Sequence, residues 1–450
     1  MRRSVILVFL FLLLLTACNT EGTMQVPPPA VPTSPPTATP QPQDTPTPAP
    51  TATPTEIPTP IAPPTIAMDT STVKSQAAQV EADTAKMRGL KPKQVVPEHF
   101  ISQEEMKYNM TQYILKEYTH EEARRDVTRL WLLMFIDDPT MDFRQLEIEF
   151  AGTSILGYYD DATKEMFVRT DQPTLSPQSR QTLSHEFVHM LQDQHFDLQK
   201  LLHENVEHDQ MMAVKALIEG DATISGVLYS ARYMTHLDFW KSFESEDIVP
   251  PMPGRAPVYL EEAWQFPYRE GSQFIFAITA PGNFKPVDAA FADPPQSSEQ
   301  IMHPEKYLSQ PRDVPLPVAL PPLTDTLGVG WTLKDTDTLG EFDLDIMLRE
   351  NYILDSNASE GWGGARYDLY ENGDDALVIM GTRWDTKKDA TEWEEALTES
   401  FKAKQKYDPY EPLWHDLYRS WGIKRSGEQI MFVSGTKLSA VRQVLDSLAP

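Results

Sequence analysis

A long stretch of proline, threonine and alanine, over residues 26 to about 65, most restricts what this chain can fold into. Proline lacks a backbone donor and blocks helix and sheet, and a segment with almost no large apolar residues cannot pack a core. We therefore predict a disordered stalk over residues 19–67, whose roughly forty proline-rich residues would reach up to ~120 Å at about 3.1 Å per residue. The chain from residue 68 onward is left to form a globular body.

The amino terminus has the features of a signal peptide. Arg2 and Arg3 precede an unbroken apolar run over residues 5–15, which is shorter than the roughly 20 residues of a membrane span. The run is followed by Leu-Thr-Ala-Cys, which resembles the lipobox of bacterial lipoproteins. The resemblance implies a lipoprotein signal peptide over residues 1–18. It also implies a lipid on Cys18 that anchors the protein to the extracytoplasmic face of the cell membrane.

The composition excludes some classes of partner. The chain has 39 Lys and Arg against 66 Asp and Glu, a formal charge of −27. Because such a surface repels phosphate backbones, we expect no nucleic-acid partner. Cys18 is the one cysteine, so the chain cannot form an internal disulfide framework.

The apolar patterns divide the body into two units, over residues 68–315 and 325–450, separated by a proline cluster at residues 314–322. In the first unit they predict helices over 71–88, 102–118 and 119–135, a strand over 146–150, and a hairpin of strands 155–160 and 166–169. In the second they predict helices over 340–352, 389–404 and 436–448, and strands over 362–371, 376–386 and 429–434. The predicted fold class is therefore α+β.

One segment carries recognisable chemistry. After Pro177, an amphipathic pattern predicts a helix that contains His185, Glu186 and His189 in the order H-E-x-x-H. Histidines four positions apart lie on the same face of a helix and can share one tetrahedral zinc ion at about 2.0–2.1 Å. Glu186 points to the same side, close enough to contact a water on the metal. This spacing is the signature of zinc metallopeptidases.

A zinc site of this kind needs a third protein ligand, and the sequence offers two candidates. Glu219 lies 30 positions after His189 on a second predicted helix, and Gly220 would let that helix pack closely. His195 lies six positions after His189, which is the spacing of the metzincin motif, but Gln192 stands where that motif has glycine. The pattern favours Glu219 and leaves His195 as the alternative.

The motif from His185 to His189, followed by Glu219, Gly220 and Asp221, resembles the gluzincin metallopeptidases of the thermolysin-like clan. The resemblance implies a zincin-type catalytic domain: a small mixed sheet, an active-site helix and a helical lobe, with the carboxy-terminal unit as a smaller α+β addition. It also implies Zn²⁺ as cofactor, a peptide or protein substrate, and Glu186 as general base. By the same resemblance, we expect the strand over 166–170 to pair with an extended substrate.

Three further residues are candidates for supporting roles. Asp193 follows His189 by four positions and could accept a hydrogen bond from a ligand imidazole, or could be an ordinary exposed carboxylate. Tyr268 and His303 are candidates for stabilising an oxyanion, because related zincins use a tyrosine or a histidine in this role. The local sequence does not decide between them.

The predicted function is a zinc-dependent hydrolase, specifically a metallopeptidase, anchored to the membrane through Cys18. The lipobox and residues 150–310 together resemble lipobox-bearing bacterial lipoproteins of unassigned function. One alternative is a non-catalytic, lipid-anchored binding protein with a zincin-like fold, although the intact base Glu186 argues against it. Another is a zinc hydrolase that acts on a different bond, such as an amide of cell-wall material.

Overall fold

A computed structural model describes residues 71–154, 156–170, 172–203, 206–243, 256–351, 353, 357–404, 406–407 and 413–448. The predicted signal peptide, the lipid attachment at Cys18 and the stalk lie outside these residues. Within the described part of the chain, no helix has both the length and the apolar character needed to cross a lipid bilayer.

The first part of the chain is mostly helical. Its elements are α1 (Ser71–Arg88), β1 (Glu98–Ile101), α2 (Gln103–Glu117), α3 (His120–Leu132), α4 (Phe143–Ser154), β2 (Gly157–Asp160), β3 (Glu165–Arg169), α5 (Pro177–Phe196), α6 (Leu198–His203), α7 (His208–Tyr233), α8 (His236–Lys241), α9 (Val258–Ile278), α10 (Lys285–Ala292), α11 (Ser298–Met302) and α12 (Pro304–Leu308).

The second part is dominated by strands. Its elements are α13 (Thr324–Leu327), β4 (Thr332–Thr338), α14 (Glu341–Glu350), β5 (Trp362–Asn372), β6 (Asp375–Trp384), α15 (Lys387–Lys404), β7 (Lys406–Tyr407), β8 (Trp414–His415), β9 (Ser420–Ser426), β10 (Gln429–Gly435) and α16 (Leu438–Ser447). The described chain is thus mixed α and β, as the sequence predicts at this coarse level.

The prediction of a strand over 146–150 is wrong, because these residues belong to α4. Alternation of apolar and acidic residues from Leu146 to Phe150 is typical of a strand. However, Phe143, Leu146 and Phe150 also follow the spacing of one helix face, and all three are buried. The Phe150 ring packs edge-on against Trp264 of α9 with 4.7 Å between ring centroids, so tertiary packing selects the helical pattern.

A small three-stranded sheet lies beside α5. The predicted hairpin is confirmed as β2 and β3, which pair antiparallel. Strand β1 pairs with the other side of β3 in parallel, so the strand order is β1-β3-β2. The expectation that the strand over 166–170 binds substrate is therefore wrong, because both edges of β3 are already paired. Among the described strands, β2 is the edge of this sheet on the side of α5.

Three long helices, α5, α7 and α9, form the centre of the first part. Gly220 of α7 lies against Gly271 of α9 so closely that a Cβ on Gly220 would stand 2.3 Å from the Gly271 carbonyl oxygen. A Cβ on Gly271 would stand 2.1 Å from the carbonyl oxygen of Ala216. Gly220 thus permits the close packing that the sequence suggests, but its partner is α9 rather than α5.

The second part forms a seven-stranded antiparallel sheet in the order β4-β5-β6-β10-β9-β8-β7. The predicted strands over 362–371, 376–386 and 429–434 are confirmed as β5, β6 and β10, and the three predicted helices as α14, α15 and α16. Strands β4, β7, β8 and β9 were not predicted. Strand β4 reads Thr-Leu-Lys-Asp-Thr-Asp-Thr, and this polar sequence forms a strand because it pairs along β5 at the edge of the sheet.

The two parts share one core and one helix cap. A continuous cluster of buried apolar residues extends from Met106 of α2 to Phe432 of β10. Helix α7 receives no cap from its own Glu207 side chain. Instead, the His208 amide donates to Asp337 Oδ1 at 2.8 Å, and the next amide donates to Thr338 Oγ1 at 3.3 Å. The last residues of β4 therefore cap the helix that carries Glu219.

Candidate metal centre

Helix α5 places the H-E-x-x-H motif in the protein interior. The Ser176 hydroxyl accepts a hydrogen bond from the Ser179 amide at 3.0 Å, and Pro177 occupies the first turn, where its missing donor is harmless. The helix ends at Asp197, whose φ is 61°. Between these ends His185 and His189 lie one turn apart, and both are buried.

The side chains of His185, His189 and Glu219 converge. The two Nε2 atoms are 2.9 Å apart, and Glu219 Oε2 lies 3.5 Å from His185 Nε2 and 3.6 Å from His189 Nε2. Ligand atoms arranged tetrahedrally at 2.0–2.1 Å from zinc stand about 3.3 Å apart. The two distances to Glu219 are close to this value, and the distance between the histidines is slightly shorter. This triad can hold a metal ion.

Buried acceptor atoms also fit a cation at this position. Glu186 Oε1 and Glu219 Oε2 are both buried, and neither accepts a hydrogen bond from any described residue. Leaving a carboxylate oxygen buried without a partner costs free energy, so such atoms indicate a missing positive partner. Two neutral imidazoles and a carboxylate are the donor set that zinc takes in catalytic sites. The residues present therefore fit zinc.

Glu186 is held beside the triad by the small sheet. Its Oε2 accepts a hydrogen bond from the Tyr159 amide of β2 at 3.0 Å. Burial raises the pKa of Glu186, assisted by the charge of Glu219 and opposed by the two histidines and by the Tyr159 amide. A carboxylate of raised pKa whose second oxygen is unengaged is suited to accept a proton during a reaction.

The partner of His189 is Gln192, which the sequence analysis did not identify. The Gln192 amide nitrogen donates to the Ile218 carbonyl at 3.0 Å and to Asp221 Oδ2 at 2.8 Å. Its oxygen therefore faces His189 Nδ1, at 2.8 Å, and this nitrogen must carry the proton. The lone pair of His189 is left on Nε2, towards Glu219, which is the tautomer a metal ligand needs.

A buried ion pair extends this chain of contacts to the amino-terminal helix. Arg88, at the end of α1, donates to both oxygens of Asp221, with its Nε 2.8 Å from Oδ1. The same guanidinium donates to Asp288 of α10 at 2.7 Å and lies over the Phe284 ring. Two features of the sequence could have identified members of this chain of contacts. Gln192 is three positions from His189, and Asp221 is two positions from Glu219.

Asp193 does not contact a ligand histidine, so its proposed supporting role is corrected. It accepts hydrogen bonds from the Tyr159 hydroxyl at 2.8 Å and from Lys164 Nζ at 2.7 Å. Both partners belong to the hairpin of β2 and β3. Gln192, which orients His189, and Asp193, which ties the hairpin to α5, are adjacent on the helix. Because each residue of a helix is rotated by about 100° from the one before it, Asp193 points towards the sheet.

Tyr268 and His303, the two candidates for an oxyanion donor, lie in different places. Burial raises the pKa of Tyr268 well above its ordinary value, and so do the charges of Glu219 and Glu186 and a hydrogen bond to Glu219. Its ring centroid is 6.4 Å from that of His185. Tyr268 therefore lies beside the triad with its hydroxyl protonated.

His303 belongs to another cluster. Its Nε2 is 3.1 Å from Oε1 of Glu341. This contact lies next to the start of α7, where Asp209 accepts a hydrogen bond from the Ser298 amide at 2.9 Å. Asp209 precedes Glu219 by ten positions on α7, a rise of about 15 Å. The structure thus places His303 away from the triad.

The alternative third ligand, His195, also lies apart from the triad. Its Nε2 is 2.8 Å from the Lys91 carbonyl oxygen. A second group of acidic residues, Glu299, Asp313 and Asp385, could in principle hold a cation. The ammonium group of Lys306 already pairs with all three of these carboxylates, so the protein itself supplies a cation to this cluster.

Comparisons with known proteins bear on the second part of the chain. A family model described as a domain of unknown function (DUF8575) matches residues 329–445, about a quarter of the chain. Neither the curated proteins nor the solved structures gave a match. The matched region lies within the carboxy-terminal unit and does not include the residues of the metal centre.

Proposed function

We propose that this protein is a zinc-dependent hydrolase, a metallopeptidase of the gluzincin type. The observation that carries the proposal is the buried convergence of His185, His189 and Glu219 with Glu186 beside them. A binding protein has no need to keep a general base next to a metal triad. The proposal includes the zincin-type arrangement of a small sheet, an active-site helix and a helical lobe.

The roles of the residues follow from their contacts. His185, His189 and Glu219 would hold the metal. A zinc ion bound there supplies a Lewis acid that activates water and polarises the scissile carbonyl group. Glu186 would accept a proton from the attacking water through Oε1 and deliver it to the departing amine, while the Tyr159 amide holds Oε2.

Tyr268 is the candidate that donates a hydrogen bond to the developing oxyanion. Its hydroxyl keeps its proton because burial and the neighbouring carboxylates raise its pKa well above the ordinary value. A protonated phenol close to Glu219 can donate a hydrogen bond to a substrate oxygen that lies beside the triad. Of the two edge strands of the small sheet, β2 lies beside α5, and its backbone, apart from the Tyr159 amide that holds Glu186, is the part proposed to pair with an extended peptide.

The location and partners are proposed from the amino-terminal sequence. The lipobox-like segment that ends at Cys18 supports a lipid anchor on the extracytoplasmic face of the cell membrane. The substrate would then be a peptide or protein outside the cytoplasm. The net charge of −27 supports the absence of a nucleic-acid partner.

The test is the metal content of the full-length protein in detergent micelles, measured by mass spectrometry of the metal. We expect about one zinc per chain in the parent and clear loss in Glu219→Ala, because a catalytic zinc site needs three protein ligands. His195→Ala is the matched control and should keep its zinc. Glu186→Gln should also keep zinc but lose about 10²–10⁴-fold of its cleavage of labelled casein.

Two outcomes would change this conclusion. Absence of zinc from the parent after repeated purification and loading would favour the lipid-anchored binding protein. Zinc retained by Glu219→Ala but lost by His195→Ala would move the third ligand to His195 and contradict the arrangement seen in the structure.

A further inference from the structure

Helix α7 is enclosed over most of its length. From residue 211 to residue 226 every side chain is buried except that of Lys215, which is partly exposed. Glu219 follows Lys215 by four positions, so both lie on one face of the helix, separated by about 6 Å along its axis. Solvent therefore reaches this stretch of α7 at a single position, one turn from the third residue of the triad.

The ammonium group of Lys215 lies near two carboxylates but forms an ion pair with neither. Burial lowers the pKa of Lys215 to about 8, although the charges of Glu219 and Glu147 act in the opposite direction. Other partly exposed lysines of the described chain, such as Lys164 and Lys306, form direct ion pairs. At neutral pH Lys215 is thus a cation whose hydrogen-bond donors are not committed to a described carboxylate.

Neither neighbouring carboxylate serves as a lasting counter-ion. Burial, reinforced by the charge of Asp126, raises the pKa of Glu147 well above its ordinary value in spite of Lys215. Glu219 lies with the two histidines, where its charge is directed towards the metal centre. A partly exposed cation one helical turn from Glu219, with no ion pair to a described carboxylate, is suited to bind an anion that the substrate supplies.

We propose that Lys215 is a specificity-determining residue that binds a substrate carboxylate close to the scissile bond. This inference rests on the proposed function. The separation of about 6 Å from Glu219 corresponds to roughly two residues of extended peptide. The carboxylate is either the carboxy terminus of the substrate or an Asp or Glu side chain within about two residues of the cleaved bond.

The experiment uses the full-length, zinc-loaded protein and paired quenched peptides. One pair differs only in a free carboxylate against a carboxamide at the carboxy terminus, two residues from the cleaved bond. The second pair is amidated and differs only in Glu against Gln at that position. Lys215→Gln removes the charge, Lys215→Arg keeps it, and Lys388→Gln removes an exposed lysine of α15 as the matched control. Zinc content and peptide binding to the Glu186→Gln background are measured in parallel.

We expect one pair to show a preference of at least about tenfold in kcat/KM for its charged member, because a hydrogen bond to a charged group discriminates at this level. The preference should disappear in Lys215→Gln, be retained in part by Lys215→Arg, and be unchanged in Lys388→Gln. The pair that responds identifies the terminal carboxylate or the acidic side chain as the recognised group. Zinc content should be the same in all three variants.

The failures are distinguishable. Cleavage that ignores the carboxylate in both pairs, or a preference that persists in Lys215→Gln, overturns the role of Lys215 and leaves the peptidase proposal standing. Absence of both zinc binding and cleavage overturns the peptidase proposal and this inference together. Loss of zinc in Lys215→Gln shows that Lys215 supports the metal centre instead, and also overturns the inference.

Discussion

The helices around the metal centre and the carboxy-terminal sheet bury opposite kinds of side chain. The helical region encloses charged and polar groups, among them Arg88, His185, Glu186, His189, Gln192, Glu219 and Asp221. The sheet region encloses the indoles of Trp362, Trp384, Trp393 and Trp421. Burying charge costs free energy unless each group is paired, whereas burying an indole is favourable through its area. The interior around the triad therefore depends on the pairing of its charged groups, and the interior of the sheet region depends more on buried apolar area.

The two regions are nevertheless not independent. One apolar cluster runs through both, and Asp337 and Thr338 of β4 cap the amino terminus of α7. The unit that matches a domain of unknown function thus supports the helix that carries Glu219. The predictions below separate the stability that each region provides from the metal affinity that the helices provide.

The largest effect is expected from breaking the buried ion pair of Arg88 and Asp221. Arg88→Ala leaves Asp221 buried without its cation and should lower the free energy of unfolding by about 3–5 kcal/mol. Trp393→Ala, in the sheet region, should cost a similar amount through the cavity it leaves. Only Arg88→Ala should also weaken zinc binding, because Asp221 holds Gln192 against His189. Urea unfolding and zinc titration of both variants would check this; equal zinc affinity in the two contradicts the chain of contacts.

A smaller effect is expected at two adjacent residues of α5. Gln192→Leu removes the acceptor of His189 Nδ1 and should weaken zinc affinity about 10–100-fold. Asp193→Asn, its matched control, alters contacts to the hairpin and should leave zinc affinity nearly unchanged. Competition with a fluorescent chelator measures both values. A greater loss in Asp193→Asn than in Gln192→Leu would restore the supporting role first suggested for Asp193.

A pH effect is expected where the two regions meet. Burial raises the pKa of Asp209 from its ordinary value to about 7, against the hydrogen bonds from Ser298. The protonated form is therefore favoured by folding, and the stability it contributes is complete below about pH 4 and lost as pH rises through 7. Relative to the parent, Asp209→Asn should gain more than ~1 kcal/mol between pH 4 and pH 8. Urea unfolding at both pH values measures this gain, and a constant difference would contradict the raised pKa.

The smallest effect is expected from the cap that β4 provides to α7. Asp337→Ala removes the acceptor of the His208 amide and should lower the free energy of unfolding by about 1 kcal/mol. Thr332→Ala, at the exposed other end of β4, is the control and should change stability by less than half of that. Thermal unfolding of the two variants compares them. No difference between them would show that the contact contributes no stability.

Sequence patterns were sufficient for part of the fold and for the residues of the proposed metal-binding triad. The spacing of His185 and His189 specifies one helix face, and the apolar patterns place α1, α2, α3, α5 and the β2–β3 hairpin within a few positions. Glu219 was identified because a helix with an acidic residue follows at a suitable distance. The helix face and the hairpin depend on residues that are near one another in sequence, where backbone geometry sets the spacing, whereas Glu219 meets the histidines across 30 positions through the packing of α7 against α5.

The tertiary structure decided what lies beside each of these groups. Gln192 rather than Asp193 contacts His189, because α7 supplies the acceptors that hold the side-chain amide of Gln192 in place. Strand β3 is central because the distant β1 pairs with it, and His303 is held away from the triad by Glu341. Each outcome depends on contacts between residues far apart in the chain. Such contacts are set by packing of the shared core, and the periodicity of a single segment does not record them.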